Sequence, residues 1–531
     1  MRQAIERQRR LDGGSVSQVV LNLNCRDELI PILRGLQQVY ATPKVREAIL
    51  KLVKRDVSAK SRSDRGRDGL SYWCILVLAA VRLGCNLDYD KLHDLAENHR
   101  ALRSIMEIGE FDETHFSWKR IRDNVCLLQP ATIAEIDQLI VNAGHKLVPN
   151  AVKTMRADSF VVETNIHYPT DSSLIVDGIR KIIERSEPLA TSRGLSGWRQ
   201  HAQLLKTVKS VARQIARIAA KKGPNYAERL KTEYVKLLKK SGRVLHRARE
   251  LLAVLKSDTP ARHADQNVGN KNVGNKNVGN KNVGNKNVGS ENVGSENVGS
   301  ENVGSELLEL TTLETFIART QQVREVAQRR VIQGEKVPNN EKLFSLFEPH
   351  TQLYKRGKAG EPVQFGRLVL VFEDAAGFLT QHRLLSRTES DRDVAVPETR
   401  RLQQRFGQQV EELSFDRGFH SPENQDELAK LVKSPCLPKP GVKQAAAQVA
   451  SQSAAASLTF RAAKQRHPGI ESAIGGLQSG NGQKRCRDRG ELGLERYLAL
   501  GILGRNLHTF GRLLIQREAP HSEAARTQRA A

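Results

Sequence analysis

Apolar positions along the chain follow two spacings. Thr42-Pro43 supplies an N-cap followed by a first-turn proline, and Val45, Ile49 and Leu52 then recur on one face of a predicted helix. Lys54 to Gly69 is basic and rich in Ser and Gly, which predicts a solvated connector. Leu70 to Leu128 predicts short helices broken near Gly84 and Gly109, with Asp112 capping a helix that carries Trp118, Ile121 and Val125 inward. His115, Lys119, Arg120 and Arg122 then lie on its flanks and outer face. That pattern suits a helix-turn-helix-like DNA reader, and equally a small bundle with a solvated charged face. From Met155 to Ile166 the character changes, because Val161, Val162, Thr164 and Ile166 favour a strand or hairpin leading away from Asp158.

A long helical insertion follows. Leu204, Val208, Val211, Ile215 and Ile218 alternate spacings of four and three up to Gly223-Pro224. Leu230, Tyr234, Leu237, Ser241, Val244, Ala248, Leu251 and Leu255 continue the same heptad rhythm, so two helices should pair as an antiparallel hairpin with basic outer faces. Four copies of Asn-Val-Gly-Asn-Lys and four of Asn-Val-Gly-Ser-Glu then fill Asn267 to Glu306. A five-residue period makes no helical stripe, and the glycines predict a flexible linker spanning on the order of 35 Å as a random coil. Leu313, Phe316, Ile317, Thr320, Val323 and Ala327 resume a helical stripe that can dock on the hairpin.

Sheet signals return at Gln364 to Glu373, with a turn at Ala376-Gly377 into Phe378 to Leu385. A helix around Glu398 to Phe406, a strand from Val410 to Phe415 that ends at Asp416, and a helix from Glu423 to Val432 come next. Ser434 to Ser457 predicts a loop or weak linker, and helices at Arg466 to Leu477 and Leu492 to Leu514 complete the fold. In domain terms these readings give a helical and basic segment at 1–69 and a helix-turn-helix-like region at 70–150. A catalytic domain in two parts, 151–185 and 341–515, is interrupted by the helical insertion 186–340. A tail at 516–531 is expected to lack order.

Charge narrows the partners. Lys and Arg number 84 against 59 Asp and Glu, a net charge of +25, which favours a nucleic acid because each neutralised phosphate releases counterions. The six cysteines form no C-x-x-C pair, so neither a disulfide framework nor a zinc site is indicated. The N-terminal segment lacks the apolar core of a signal peptide. The longest apolar run, Tyr72 to Val81, falls well short of the roughly 20 residues that a membrane helix needs. We therefore expect a cytoplasmic protein with no membrane partner.

Against this basic background three carboxylates stand out: Asp158 in Met-Arg-Ala-Asp-Ser, Asp416 in Ser-Phe-Asp-Arg-Gly-Phe and Glu471 in His-Pro-Gly-Ile-Glu-Ser. A strand ending in an acid, a hairpin, a helix, a second strand ending in an acid and a late helix bearing an acid follow the order of a ribonuclease-H-like α/β domain. The chain is thus expected to be α/β, with such a catalytic domain, a helical coiled-coil insertion and an N-terminal all-α domain. Converging carboxylates repel and stay ionised only around cations, and Mg²⁺ is satisfied by a few carboxylates, water and phosphate oxygens. Two Mg²⁺ or Mn²⁺ ions would activate the attacking oxygen and stabilise the leaving one. Gly418 allows a tight turn after the strand, and Arg417 can approach phosphate.

The blocks Met155 to Ser173, Phe415-Asp-Arg-Gly-Phe419, His467-Pro-Gly-Ile-Glu-Ser-Ala-Ile474 and Arg496-Tyr-Leu-Ala-Leu-Gly-Ile-Leu-Gly-Arg-Asn506-Leu resemble those of bacterial insertion-sequence DDE transposases, particularly the ISNCY type. The resemblance implies that Asp158, Asp416 and Glu471 are catalytic metal ligands. It also implies that the N-terminal helices contact terminal inverted repeats, that DNA is both cleaved and joined to a target, and that the active complex is a dimer or larger. Lys464, His467 and Gln478 depart from the Tyr, Arg and Lys that flank the catalytic Glu in a related group, which leaves Glu495 as a rival third acid. An inactive transposase-derived DNA-binding protein and a nuclease without strand transfer are the alternatives. Among other candidates, Asp171 is expected to cap a helix over Ser172 to Ile183. His167, His420 and His467 could touch phosphate, Ser159 has no histidine partner suggested by spacing, and Glu373 with Asp374 is expected in a solvated turn.

Overall fold

In Thr154–Glu163 (β1) successive side chains point to opposite faces, so Met155, Ala157 and Val161 enter one apolar cluster while Phe160 and Val162 enter another. A strand apolar on both faces belongs in the middle of a sheet, and β1 is there. The computed structural model describes residues 2–3, 15–59, 67–109, 112, 114–221, 223–269, 298–358, 361–441 and 454–530. Within them β1 is joined by β2 (Gln352–Lys358), β3 (Glu361–Asp374), β4 (Leu379–Leu384), β5 (Glu412–Phe415) and β6 (Ser434–Cys436). The order is β2-β3-β1-β5-β6, with β4 also paired to β3. β3 runs antiparallel to β1 and β4 antiparallel to β3, whereas β5 is parallel to β1 and β6 parallel to β5. Ser434 to Cys436 is therefore a strand where a loop was expected. It is three residues long, contains Pro435 and lies at the sheet edge, the one place where a proline without an N–H is tolerated. Residues 442–453 of that expected loop lie outside the described residues.

The chain divides into two compact units, Met1–Asn165 with Leu353–Ala531, and Ile166–Gln352. The first opens with α1 (Leu29–Ala41), α2 (Pro43–Ser58), α3 (Tyr72–Gly84), α4 (Tyr89–Asn98), α5 (Arg100–Ile105), α6 (Trp118–Val125) and α7 (Pro130–His145). α3 is buried along its whole length, and its Arg82 is neutralised by Asp488 at 2.6 Å. Among the described residues no helix is long and apolar enough to cross a membrane. α6 departs from expectation at two points. Ser117, not Asp112, caps it by accepting the Arg120 N–H, while Asp112 accepts the Thr114 N–H in a local turn. Ile121 and Val125 are buried as expected, but Trp118 is 45% exposed, with the Arg122 guanidinium 5.2 Å from its ring centre.

The second unit consists mainly of α8 (Asp171–Ser192), α9 (His201–Lys221), α10 (Tyr226–Gly269) and α11 (Val298–Ala327). The heptad positions meet as expected: Val208, Ile215 and Ile218 of α9, Tyr234 through Leu255 of α10, and Leu313, Ile317, Val323 and Ala327 of α11 are buried. α8 joins them through Ile175, Ile179 and Ile182, and Gly178 permits its close approach, since a Cβ there would lie 2.1 Å from Thr320 Oγ1. Thr170 caps α8 in a capping box with Ser173. Asp171, expected to be the cap, is the first helical residue and pairs with Arg330 at 2.9 Å. Helices α10 and α11 enter the pentapeptide repeat at its two ends, and 270–297 lie outside the described residues.

The first unit closes with α12 (Asp391–Arg405), α13 (Pro422–Leu431), α14 (Ala454–Arg466), α15 (Gly469–Gly480) and α16 (Glu491–Ala530). α16 continues through the stretch after residue 515 that was expected to lack order. Val394, Ala395 and Leu402 of α12 and Leu428 of α13 cover the sheet face that bears Met155, Ala157, Leu413 and Phe415. The opposite face, with Phe160, Val162, Val369 and Val371, shares one core with α15, α16 and the N-terminal helices. The N-terminal helices thus complete the sheet's own core. Asn506 fastens this layer: its Nδ2 donates to both carboxylate oxygens of Asp137 at 2.9 and 3.1 Å and to the Leu379 carbonyl, and its Oδ1 accepts the Leu379 N–H.

Burial pushes the Asp137 carboxyl up to about 7, although Asn506 and Arg405 oppose the shift. The folded state keeps this proton between its ordinary value of 3.8 and about 7, where the unfolded chain has lost it, so the contribution to stability falls as pH rises through that window. Relative to the unmodified protein, Asp137→Asn should gain about 1.4 kcal/mol per pH unit across it, read from urea midpoints.

Candidate functional site

The site grows from the pairing of β1 with β5. Ala157 is the register partner of Phe415, so Asp158 and Asp416 are the next residues along two adjacent parallel strands. Leu413 and Phe415 point into the α12–α13 core, and strand alternation carries Ser414 and Asp416 to the other face. Arg156, Asp158 and Phe160 share that face, across which α15 lies with Ile470, Ala473 and Leu477 buried. Glu471 stands in the first turn of α15, where the helix dipole favours a carboxylate. Asp158 is half-buried, and Asp416 and Glu471 are exposed. Asp416 immediately follows its strand, as expected, whereas Asp158 lies in the middle of a ten-residue strand rather than at its end. The reason is that β3 continues to pair with β1 beyond the point where the shorter β5 stops.

His467 links the three elements. Its Nδ1 lies 3.1 Å from Ser414 Oγ of β5. Burial holds its pKa below the ordinary value; the charges of Asp416 and Glu471 pull it back up and that of Arg156 pushes it further down. Arg156, two residues before Asp158 on the same face, donates to the Arg466 carbonyl at 3.1 Å and pairs with Glu373 of β3 at 2.6 Å. It packs so closely that a Cβ on Gly469 would overlap its guanidinium. Arg466 itself pairs with Glu412 of β5. The turn that begins α15 is thus tied to β1, β3 and β5 around the acids.

Glu373 and Asp374 are buried, not solvated as expected. Glu373 is occupied by Arg156, while Asp374 lies 2.6 Å from His145 Nε2 and accepts the N–H groups of Ala376 and Phe378. Asp374 thus holds the turn after β3, while Glu373 joins β3 to β1. Glu495 lies on α16 beside Arg496, which donates to the Cys126 carbonyl. His420 is buried 3.3 Å from Gln425 Oε1, and His167 pairs with Asp177 in the helical unit. Of the residues expected to face DNA, Lys119 and Arg417 are exposed, His115 is held by Glu97 at 2.9 Å and Arg122 pairs with Asp123. Arg120 turns back to the carbonyls of His115 and Gly69. Sequence reasoning assigned no part to Arg156 or Ser414, although period-two alternation already puts Arg156 on the face of Asp158.

For a divalent cation the donor set is right in kind, because carboxylates are hard oxygen ligands of the sort Mg²⁺ and Mn²⁺ take. Two of them are register neighbours on one face, which suits an ion that also keeps water ligands. Among the described residues, as the side chains stand, no group of three or more His, Cys, Asp or Glu is gathered closely enough to hold an ion. A family model described as pentapeptide repeats (8 copies) matches residues 266–305, which include none of the three acids. No curated protein and no solved structure matches the chain.

Removing Arg156 leaves the buried Glu373 carboxyl without its partner. Arg156→Ala should therefore lower unfolding stability by about 3 kcal/mol, and Arg156→Ala with Glu373→Leu should recover most of it. Urea unfolding of the two variants checks this.

Proposed function

We propose that the protein is a DDE transposase that binds insertion-sequence ends, hydrolyses DNA phosphodiesters and transfers the resulting 3′-ends to target DNA. The observation that carries this reading is the shared face and consecutive register of Asp158 and Asp416, with Glu471 on the helix laid across them. The sheet order supports the finer fold assignment. A central strand with an antiparallel hairpin on one side and two parallel strands on the other is the arrangement a ribonuclease-H-like domain requires.

In this reading Asp158 and Asp416 hold divalent cations and Glu471 adds a ligand from the helix side. When bound there, Mg²⁺ or Mn²⁺ would supply an activated oxygen nucleophile and charge stabilisation at the leaving oxygen. Arg156 and the His467–Ser414 contact position the start of α15, and with it Glu471, against β1 and β5. Arg417, one residue past Asp416, is exposed and can approach a phosphate. Joining two element ends calls for at least a dimer in the active complex.

The test is cleavage and joining of labelled DNA carrying the inverted repeats that flank the gene, with Mg²⁺ or Mn²⁺. Asp158→Asn and Asp416→Asn should each slow cleavage by about a thousandfold or more, the equivalent of several kcal/mol of lost transition-state stabilisation, while leaving end binding intact. Cleavage that survives Asp416→Asn removes the metal mechanism, and cleavage without joining assigns the protein as a nuclease.

A further inference from the structure

The positive charge of this chain is concentrated. Between His201 and Lys256 stand fifteen Lys and Arg against three Glu, about half of the chain's net charge of +25 in a small part of its length. These residues form α9 and α10, whose apolar stripes are used up within the helical unit: Val208, Ile215 and Ile218 of the first and Leu237, Val244, Ala248 and Leu255 of the second are buried. On α9 the cations Lys206, Lys209, Arg213, Arg217 and Lys221 recur at intervals of three or four residues, so they form one stripe opposite the buried one. On α10, Lys236, Lys239, Lys240, Arg243 and Arg247 make a second row, in which Lys236 pairs with Glu233 at 2.7 Å and Arg247 donates to the Gly197 carbonyl.

Surface cations of a folded domain are usually balanced by nearby acids, and on α8 they are: Arg180 pairs with Asp177 and Lys181 with Glu184. On α9 they are not. Among the described residues Lys206, Lys209, Arg213 and Arg217 make no ion pair or hydrogen bond through their side chains, and three of the four are exposed. Mutual repulsion along such a row opposes helix stability unless a polyanion neutralises it. From Lys206 to Lys221 the row is about 22 Å long at 1.5 Å per residue, long enough to meet several phosphates of a duplex, which carries one charge per about 1.7 Å of its axis. An anionic membrane is a poorer fit, because a surface-lying helix must offer an apolar face, and that of α9 is already buried in its own bundle.

We propose that α9 and α10 form a sequence-independent binding surface for the phosphate backbone of duplex DNA, separate from the acid-bearing site. Only the choice of DNA over RNA rests on the DNA-processing reading above. The basic rows give no base-edge chemistry of their own, so this surface adds affinity and salt dependence but no preference for element ends.

The test is binding of the full chain to a random-sequence duplex, followed by fluorescence anisotropy across a salt series. In the combined variant Lys206→Gln, Arg213→Gln, Arg217→Gln, affinity should fall at least about tenfold and the slope of log K against log salt should become shallower by about three. Circular dichroism and the thermal midpoint should be unchanged or improved, since the repulsion is relieved. Arg180→Gln with Lys181→Gln, on the balanced helix, should leave binding unchanged. Unaltered affinity and slope in the triple variant overturn the proposal, as does equal or tighter binding of double-stranded RNA or of phosphatidylserine vesicles. If the duplex is bound through the stripe but wild-type protein never cleaves element ends with Mg²⁺ or Mn²⁺, the catalytic reading fails and this one stands.

Discussion

Parallel pairing between β1 and β5 determines which residues reach each face of the sheet at its centre. Two strands far apart in sequence are held so that Ala157 meets Phe415, and the apolar set Met155, Ala157, Leu413 and Phe415 fixes which face turns to α12 and α13. A one-residue slip of β5 against β1 would turn Leu413 and Phe415 outward and take Asp416 into the apolar layer, away from Asp158. The burial that stabilises one face therefore also determines that the two acids appear together on the other. The acids contribute no packing there; α15 and the N-terminal helices supply the core beside them.

Around this pairing, polar groups do the fastening that apolar contacts cannot. Arg156 joins β1 to β3 and to the start of α15, His467 joins that start to β5, and Asn506 joins α16 to α7 and β4. Each is directional, so each sets where an element sits along the sheet as well as whether it packs. The turn before Glu471 is in this way held against β1 and β5, at Arg466 and His467. The helical unit follows a different logic, with heptad stripes buried inward and unbalanced cations outward.

Much of this was legible in the sequence where one periodicity dominated. The heptads of α9, α10 and α11 and the strands around Val161, Val369 and Leu413 stand where their spacing put them. The misses have physical causes. Asp112 and Asp171 each look like caps, yet Ser117 and Thr170 nearby accept the N–H groups, and sequence does not say which of two adequate acceptors will win. Trp118 was assigned inward by its hydrophobicity, but a first-turn position leaves it at the surface beside Arg122. Glu373 and Asp374 were read as solvated because charge favours water, whereas their partners Arg156 and His145 are distant in sequence. The three acids were visible as residues, while the common face of Asp158 and Asp416 came from register, which only pairing reveals.

Under the proposed function, Asp158 and Asp416 present their carboxylates to a shared divalent cation on the α15 face of the sheet. Anomalous diffraction from crystals of the protein grown with Mn²⁺ tests it most directly. A manganese peak between the two carboxylates, with Glu471 on its helix side, is the expected result. A peak elsewhere, or Mn²⁺-saturated crystals with no density between Asp158 and Asp416, would contradict it.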